Sequence, residues 1–325
     1  MHGGSWSDTE MSLKATRDAY GEWLVEKGKT DNNIVVVDAD LAESTRTIMF
    51  CKAYPNRFFD VGAAEQNLVD VAAGLAIGGK KAFASSFAYF LTARAWDQVR
   101  NIVAHDNLNV IFVASHGGLS AVADGASHLA LQDIALMRVI PNMRVVVPVD
   151  AEETKNALDT ALSAGGPFYV RLRRDKEPIQ QKSYHYRLGK AETMRDGEDI
   201  TLAAFGPMVD TSLKAAALLK ERMIDARVLN IHTIKPLDEE TLEKAARETN
   251  LVFTIEDHSI YGGLGGAVAE ALSMRYPVTI HRLGIPDTYA GSTRNAETYL
   301  RQYGLTPDQI AAKAEQTIEN RVRVL

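Results

Sequence analysis

Short apolar runs rich in β-branched residues alternate with longer helical patterns in the first half of the chain, and this alternation limits the fold more than any other feature. Several of the runs are apolar on both faces, as in a parallel sheet covered by helices on both sides. The predicted strands are 33–40, 81–87, 109–115, 143–149 and 167–173. The predicted helices are 12–28, 64–78, 88–106, 127–139 and 151–164. The pattern predicts a doubly wound α/β domain.

A polar, charged stretch at 175–199 interrupts this pattern and predicts a linker with one hairpin. A shorter series of the same kind follows it. Its predicted strands are 200–206, 226–232, 251–257 and 278–284, and its predicted helices are 207–223, 238–248, 264–275 and 306–320. We therefore predict a first domain at 12–180 and a second, smaller α/β domain at 190–325.

Composition excludes several classes of function. The formal charge of −6 argues against non-specific binding to nucleic acid or to an acidic membrane surface. No apolar run approaches the roughly 18 residues of a membrane helix. Residues 1–11 show no secretory pattern and are expected to form a flexible tail. The single cysteine, Cys51, excludes an internal disulfide, fits a reducing cytoplasm and is expected to be an ordinary packed thiol.

Polar side chains follow four of the predicted strands, at the edge where ligands bind in such folds. The most informative segment is SHGGLSAVADGASH (115–128), because His116, Asp124 and His128 lie within thirteen residues that also carry several glycines. Histidine and aspartate supply acid–base and hydroxyl-binding groups. Their spacing does not match a compact zinc motif, so no metal site is predicted. GGLGG (262–266) lacks the G-x-G-x-x-G spacing and predicts a tight strand-to-helix turn.

Glu65 is the residue whose position needs an explanation. In VGAAEQNLVDVAAGLAIGG (61–79) it lies on the apolar stripe of a helix. A carboxylate on a buried stripe is costly unless a partner accepts it or holds its proton. The residues alone leave two alternatives open, namely a functional acid and a first-turn acid that interacts with the helix dipole.

Four segments, taken in order, carry a resemblance to a known family. FFDVGAAEQNLVDVAAGLA (58–76), ASSFAYFLTARAWDQVR (84–100) and SHGGLSAVADGASHLALQDIALMRVIPNM (115–143) resemble the pyrimidine-binding domain of transketolases. TIEDHSIYGGLGGAVAEAL (254–272) is similar to the start of the transketolase C-terminal domain. The sequence has no G-D-G that matches the diphosphate-binding domain of these enzymes. It therefore resembles the C-terminal subunit of a split transketolase.

The resemblance implies a role for individual residues. Glu65 matches the glutamate that hydrogen-bonds N1′ of the aminopyrimidine of thiamine diphosphate, where a buried carboxyl can share its proton. Phe87 and Phe90 match the aromatic residues around that ring, and Asp40 matches a carboxylate near the cofactor. Asp124 and His128 match groups that contact the reacting hydroxyls of donor and acceptor. The residues that match the sugar-phosphate site are Arg17, Ser44, His116 and Arg174, with Arg173 as the alternative to Arg174.

The implied activity is transfer of a two-carbon ketol unit from a ketose phosphate to an aldose phosphate, as in the pentose phosphate pathway. The implied cofactors are thiamine diphosphate and Mg²⁺, with the metal ligands on a partner chain. The implied partner is an N-terminal transketolase subunit, in a heterotetramer of two plus two chains. Alternatives are half of another thiamine enzyme, such as a 2-oxo acid dehydrogenase β subunit or a deoxyxylulose-phosphate synthase, and a non-catalytic protein of the same fold.

Overall fold

A computed structural model describes residues 13–180, 186–293 and 295–322. The elements up to residue 180 are β1 (Leu13–Ala15), α1 (Thr16–Thr30), β2 (Ile34–Asp38), α2 (Ala42–Thr45), α3 (Ile48–Ala53), β3 (Phe58–Asp60), α4 (Glu65–Ile77), β4 (Lys81–Phe87), α5 (Ala88–Arg94), α6 (Trp96–Gln98), β5 (Val110–Ser115), α7 (Asp133–Arg138), β6 (Arg144–Val146), α8 (Ala151–Ala164), β7 (Phe168–Arg171) and β8 (Lys176–Pro178). The elements after residue 186 are β9 (Glu192–Arg195), β10 (Ile200–Ala204), α9 (Pro207–Glu221), β11 (Ala226–Asn230), β12 (Thr233–Lys235), α10 (Glu239–Thr249), β13 (Leu251–Ser259), α11 (Leu264–Arg275), β14 (Thr279–Ile285), α12 (Ala296–Gln302) and α13 (Pro307–Val322).

The strands form two main sheets, and the first confirms the predicted parallel arrangement. Its order is β12-β6-β7-β5-β4-β2-β3, and every pairing is parallel except that of β12 with β6. The second sheet has the order β14-β13-β10-β11-β9, with β9 antiparallel at its edge. β1 and β8 form a separate antiparallel pair. The fold is thus α/β with two largely parallel sheets, as predicted.

The two halves of the chain share packing as well as sheets. β12 comes from the second half but completes the edge of the first sheet. The largest apolar cluster joins first-half residues such as Phe112 and Met137 to second-half residues such as Phe205 and Leu264. Burial of this continuous apolar surface, at about 25 cal/mol per Å², stabilises the two halves against one another. None of the described helices combines the length and apolar character needed to cross a membrane.

Most predicted elements are present, with ends shifted by a few residues. The predicted helix 151–164 has the bounds of α8, and Asp150 caps it by accepting from the N–H groups of Glu152 at 2.9 Å and Glu153 at 2.8 Å. The predicted tail, residues 1–11, lies outside the described residues.

Three predictions of local structure were wrong, two of them because of contacts that the local pattern does not contain. The helix predicted at 127–139 is reduced to α7, because Ala130 bridges to Gly117 and Gly118. The helix predicted at 88–106 is divided into α5, α6 and a π-helical turn at Val99–Ala104. The hairpin predicted within 175–199 is absent from its described part, since β8 pairs with β1 and β9 pairs with β11.

The glycine-rich turn before α11 is the tight strand-to-helix turn that the sequence predicts. The carboxylate of buried Glu256 accepts from the N–H of Leu264 at 2.7 Å and of Gly265 at 2.9 Å. An ideal Cβ on Gly263 would lie 2.0 Å from Glu256 Oε2, so a side chain does not fit there. An internal carboxylate therefore occupies the helix end where a phosphate binds in a dinucleotide fold.

Candidate active site

The candidate site lies at the carboxyl edge of the first sheet. β2, β4, β5 and β7 are parallel neighbours, so their carboxyl ends meet at one edge. Phe87 ends β4, His116 follows β5 and Arg174 follows β7. Phe87, His116 and Arg174, which span 87 positions of the sequence, are therefore carried by neighbouring strand ends, whereas Arg17 lies in the first turn of α1.

Glu65 is the first residue of α4, and its side chain is only 5% exposed. Its two carboxylate oxygens lie 3.2 and 3.3 Å from Arg94 Nη1, at the end of α5. The guanidinium of Arg94 also lies over the ring of Phe90, 4.1 Å from its centroid. Arg94 is half-exposed, so the ion pair joins buried Glu65 to a side chain at the surface.

The aromatic residues predicted from the sequence form a continuous wall beside this pair. The rings of Phe87 and Phe90 are stacked, with centroids 5.7 Å apart and planes inclined by 21°. The ring of His116 lies 3.9 Å from Phe87, and that of His128 lies 5.0 Å from Phe90. The wall joins the Glu65 end of the site to the glycine-rich segment after β5.

These residues fit an aminopyrimidine. Arg94 presents a planar cation that donates to Glu65 and stacks on Phe90, and a flat ring with polar nitrogens makes the same two kinds of contact. That Glu65, Phe87 and Phe90 surround such a ring stays a prediction. Among the described residues, no group of three or more histidine, cysteine, aspartate or glutamate side chains is arranged to hold a metal ion.

Positive charge is concentrated at the opposite end of the wall. Arg17 Nη1 donates to the backbone oxygen of Ser44 at 2.9 Å, whereas its buried Nε has no hydrogen-bond partner within the described chain. Arg174 is 43% exposed and lies 3.6 Å from Asp124. Burial and the neighbouring charge of Arg46 both lower the pKa of Arg17. Several guanidinium groups and an unsatisfied donor together make a site that favours an anion.

Buried Asp38 holds the turn that carries Ser44. It accepts from Leu41 N and Thr45 Oγ1, both at 2.7 Å, and from Thr47 Oγ1 at 2.8 Å. These bonds attach α2 to the end of β2 and place its last carbonyls in front of Arg17. Burial raises the pKa of Asp38, an effect that the three hydrogen bonds oppose.

Two further predicted residues, Asp40 and Arg173, make hydrogen bonds with carboxylates of the chain. Asp40 is exposed with φ of 61°, and its N–H donates to Asp60 Oδ1 at 3.0 Å. Arg173 is 7% exposed, with its Nη1 2.5 Å from Asp257 Oδ2 and its Nε 2.8 Å from Glu177 Oε1. The partners of Arg173 are internal carboxylates, whereas Arg174 reaches the cationic end of the site.

Sequence reasoning missed two residues that complete this surface. Arg94 pairs with Glu65, which lies 29 positions earlier in the sequence. The only sequence signal for this pair was that a buried carboxylate such as Glu65 needs a partner. Arg46 has φ of 72°, and its Nε lies 2.6 Å from Asp18 Oδ1. Because Asp18 directly follows Arg17, this contact brings Arg46 close to Arg17. No local motif marks either residue.

His116 differs from the cation expected at a phosphate site. Burial, reinforced by Arg17 and Arg174, lowers its pKa to about 3. Its Nδ1 lies 2.8 Å from Ser115 Oγ, and its φ of 62° is a left-handed conformation that asparagine also tolerates. The ring is therefore neutral near pH 7 and acts there as a hydrogen-bonding group.

This depressed pKa gives a testable pH dependence of stability. The unfolded histidine binds a proton below about pH 6.5, whereas the folded one stays neutral until about pH 3, so the stabilisation falls as pH falls through this window. When the pH falls from about 8 to about 5, the free energy of unfolding should fall by about 2 kcal/mol less in His116→Asn than in the native chain. Denaturant unfolding at the two pH values measures it.

His232 provides the control. Burial also lowers its pKa, to about 4, but no arginine contributes to that shift. Adding inorganic phosphate should raise the pKa of His116, followed by the NMR shifts of its ring, and leave His232 unchanged. Equal pH dependence in the native chain and in His116→Asn would show that His116 titrates normally.

Comparison with known proteins gives consistent matches over nearly the whole described chain. Residues 13–179 match the family model of the transketolase pyrimidine binding domain, and residues 189–310 match that of the transketolase C-terminal domain. The chain is 47% identical over 304 residues to a protein of Methanocaldococcus jannaschii described as a transketolase C-terminal section, covering 92% of this chain and 95% of that one.

Two further matches have a similar extent. A 6-deoxy-6-sulfo-D-fructose transketolase subunit of Clostridium sp. is 40% identical, over 94% of this chain and 95% of its own. A solved split gene transketolase, described as an inactive beta4 tetramer, has a TM-score of 0.86 and 44% identity, over 93% of this chain and 97% of its own.

Proposed function

Since this chain belongs to the transketolase family, we propose that it is the C-terminal subunit of a two-chain transketolase. It acts with thiamine diphosphate and Mg²⁺, and the diphosphate and metal ligands lie on an N-terminal partner subunit. Two copies of each chain form the active assembly. The reaction moves a two-carbon ketol unit from a ketose phosphate to an aldose phosphate in the cytoplasm.

The observation that carries the proposal is the composition of one sheet edge. Along a single wall of rings, the buried carboxylate of Glu65 stands at one end and the cationic cluster around Arg17 and Arg174 at the other. An acid beside a flat aromatic surface suits an aminopyrimidine, and a cluster of guanidinium groups suits a phosphate. A non-catalytic protein of this fold has no need for a buried acid at that position.

The cofactor, when bound, supplies an acidic carbon at C2 through which the ketol unit is carried. Glu65 would share a proton with N1′ of the pyrimidine, the role of a positioned acid–base group. Phe87 and Phe90 hold the ring and exclude water from it. Asp124 and His128 contact the hydroxyls of donor and acceptor, and Asp40 lies near the cofactor.

The substrate's phosphate binds between Arg17, Ser44, His116 and Arg174. The unpartnered Nε of Arg17 offers a donor that an anion would satisfy, and neutral His116 offers a ring nitrogen. The guanidinium groups favour a dianion over a neutral hydroxymethyl end. This site speaks against a 2-oxo acid dehydrogenase subunit, whose reaction has no sugar phosphate to place there.

A ketose panel tests the proposed reaction. We expect the reconstituted two-chain enzyme to accept a phosphorylated ketose and an aldose phosphate. Sulfonated and branched ketoses belong in the panel, because a relative is named for a sulfonated sugar. Turnover of a 2-oxo acid with no ketol transfer from any ketose would instead favour a deoxyxylulose-phosphate-synthase-like enzyme or an oxo acid dehydrogenase subunit.

Replacing Arg174 should affect phosphorylated donors selectively. A charge-assisted hydrogen bond contributes about 1.5–3 kcal/mol, and about 1.4 kcal/mol is a factor of ten. We therefore expect Arg174→Ala to lower kcat/KM for a ketose phosphate by roughly ten- to a hundredfold. Hydroxypyruvate, a short unphosphorylated donor, should be used almost as well as before, because it does not extend to Arg174. Steady-state assays with the two donors make the comparison.

Arg247→Ala is the matched control, since Arg247 is an exposed arginine on α10 that pairs with Glu243 away from this edge. It should leave both donors unaffected. Equal losses for both donors in Arg174→Ala would make Arg174 a structural residue. No loss for either donor would place the phosphate elsewhere.

A further inference from the structure

The loop after β5, residues 116–128, carries three of the proposed substrate-contacting residues, and we call it the glycine-rich loop. Its apolar side chains do not pack into the core of the first sheet. Leu119, Ala121 and Val122 belong instead to the apolar cluster built around Phe253 and Ile255 of β13. The second half of the chain therefore supplies the core on which this loop is seated.

Asp257 on β13 lies next to this apolar cluster and is 1% exposed. Its Oδ1 lies 2.8 Å from Arg171 Nη1, and its Oδ2 lies 2.5 Å from Arg173 Nη1. Its backbone oxygen accepts from Arg171 Nη2 at 3.2 Å. One carboxylate of the second half thus pairs with two arginines, the last residue of β7 and the residue two positions after it.

Arg171 extends these contacts to both sides of the glycine-rich loop. Its Nη2 donates to Ala130 O at 3.1 Å, just beyond the loop, and its Nε lies 2.9 Å from Asp133 Oδ2. An ideal Cβ on Gly117 would lie 2.6 Å from Arg171 Cγ, so the loop backbone rests directly on the arginine stem. The orientation of Arg171 therefore sets where the loop leaves β5.

Gly118 rests on Asp257 itself. An ideal Cβ at this position would lie 1.9 Å from Asp257 Oδ2, and the backbone has φ of 60° and ψ of −134°, a conformation that glycine adopts. Gly118 N also donates to Ala130 O at 3.1 Å. A glycine is needed here because the carboxylate occupies the space of a side chain.

The far end of the loop meets the second half as well. Thr293 N donates to Val122 O at 3.1 Å. An ideal Cβ on Gly125, whose φ is 82°, would lie 2.6 Å from Ser292 Oγ. Contacts at both ends leave the loop little freedom that is independent of the second half.

We infer that Asp257 is a positioning residue, through which the C-terminal domain holds the glycine-rich loop and hence His116, Asp124 and His128. The C-terminal domain is then a working part of the substrate site. This inference rests on the proposed function only for its catalytic consequence. The effect on the order of the loop does not depend on that function.

The test compares Asp257→Asn with Glu270→Gln. Asparagine keeps the shape of the side chain but removes the charge shared by Arg171 and Arg173. Glu270 also pairs across the two halves, with Arg138, but lies on an exposed surface of α11. In the purified chain, we expect amide hydrogen exchange in residues 116–128 to be at least tenfold faster in Asp257→Asn and unchanged in Glu270→Gln. Peptides from β10 and β11 serve as internal reference.

A catalytic measurement separates positioning from general damage. In the two-chain enzyme, kcat/KM for a ketose phosphate should fall at least tenfold in Asp257→Asn. The rate of C2–H exchange of bound thiamine should stay within about twofold, because Glu65 and Phe87 lie outside the loop. If Asp257→Asn does not fold, Arg173→Gln takes its place, since it removes one of the two charges that face Asp257. It should change loop hydrogen exchange and kcat/KM in the same directions, by smaller factors.

Unchanged amide hydrogen exchange in the loop would overturn the inference. Equal acceleration of that exchange in the loop and in β10 and β11 would also overturn it, because Asp257 would then contribute only to folding. Loop exchange that responds as expected in an enzyme without ketol transfer would leave the inference standing and overturn the proposed function instead.

Discussion

Glu65→Gln is expected to slow C2–H exchange of bound thiamine by roughly 10²- to 10⁴-fold, the contribution of a positioned acid–base group. Glutamine keeps the size of the side chain and one acceptor oxygen but cannot share a proton with the pyrimidine. The change also removes the ion pair with Arg94, whose side chain is 52% exposed. Solvent screens such a pair, so the loss of stability should be small.

The measurement follows deuterium uptake at C2 by NMR after rapid acid quench, with the two-chain complex assembled on thiamine diphosphate. Assembly and cofactor binding are checked separately, because they should persist in Glu65→Gln. Ketol transfer should fall in parallel with exchange.

Glu152→Gln is a control for the helix-dipole alternative. Glu152 is also an acid in the first turn of a helix, α8, but pairs with Lys155. If Glu65 only stabilised its helix, the two variants would have similar small effects on stability and none on exchange. Exchange at the native rate in Glu65→Gln would remove this residue from the mechanism.

Much of the fold was predictable because it follows from local patterns. β4, α8 and α11 have the predicted bounds, and α8 begins at the strong N-cap signal of Asp150. β12 and α7 were not predictable in this way. β12 adds to a sheet whose other strands lie in the first half, and the segment before α7 is held by Ala130 and by Leu131 O, which accepts from Ser259 N at 2.8 Å.

The candidate site shows the same division. Glu65 stands out because a charge on an apolar stripe is a local signal, whereas Phe87 and Phe90 were indicated only by the resemblance to transketolases. Arg94 and Asp257 do not stand out, because their roles come from ion pairs across 29 and 86 positions. The neutral state of His116 was also hidden, since it depends on burial and on two distant arginines.

The chain by itself is expected to have no ketol-transfer activity. The residues proposed here surround the pyrimidine and the substrate, and the sequence has no G-D-G match for holding the diphosphate and its metal. Without those ligands, the cofactor is not retained beside Glu65.

We expect an N-terminal partner subunit to supply the diphosphate and metal ligands. Titrating a G-D-G-bearing N-terminal subunit into a fixed amount of this chain should raise activity until the two are equimolar and then leave it constant. A partner with its G-D-G aspartate replaced should still bind this chain but restore no activity.

The most direct measurement is therefore ketol transfer from xylulose 5-phosphate, with thiamine diphosphate and Mg²⁺, for the lone chain, the lone partner and their mixture. We expect turnover only in the mixture, with a plateau at one partner per chain. Robust turnover by the lone chain would contradict it.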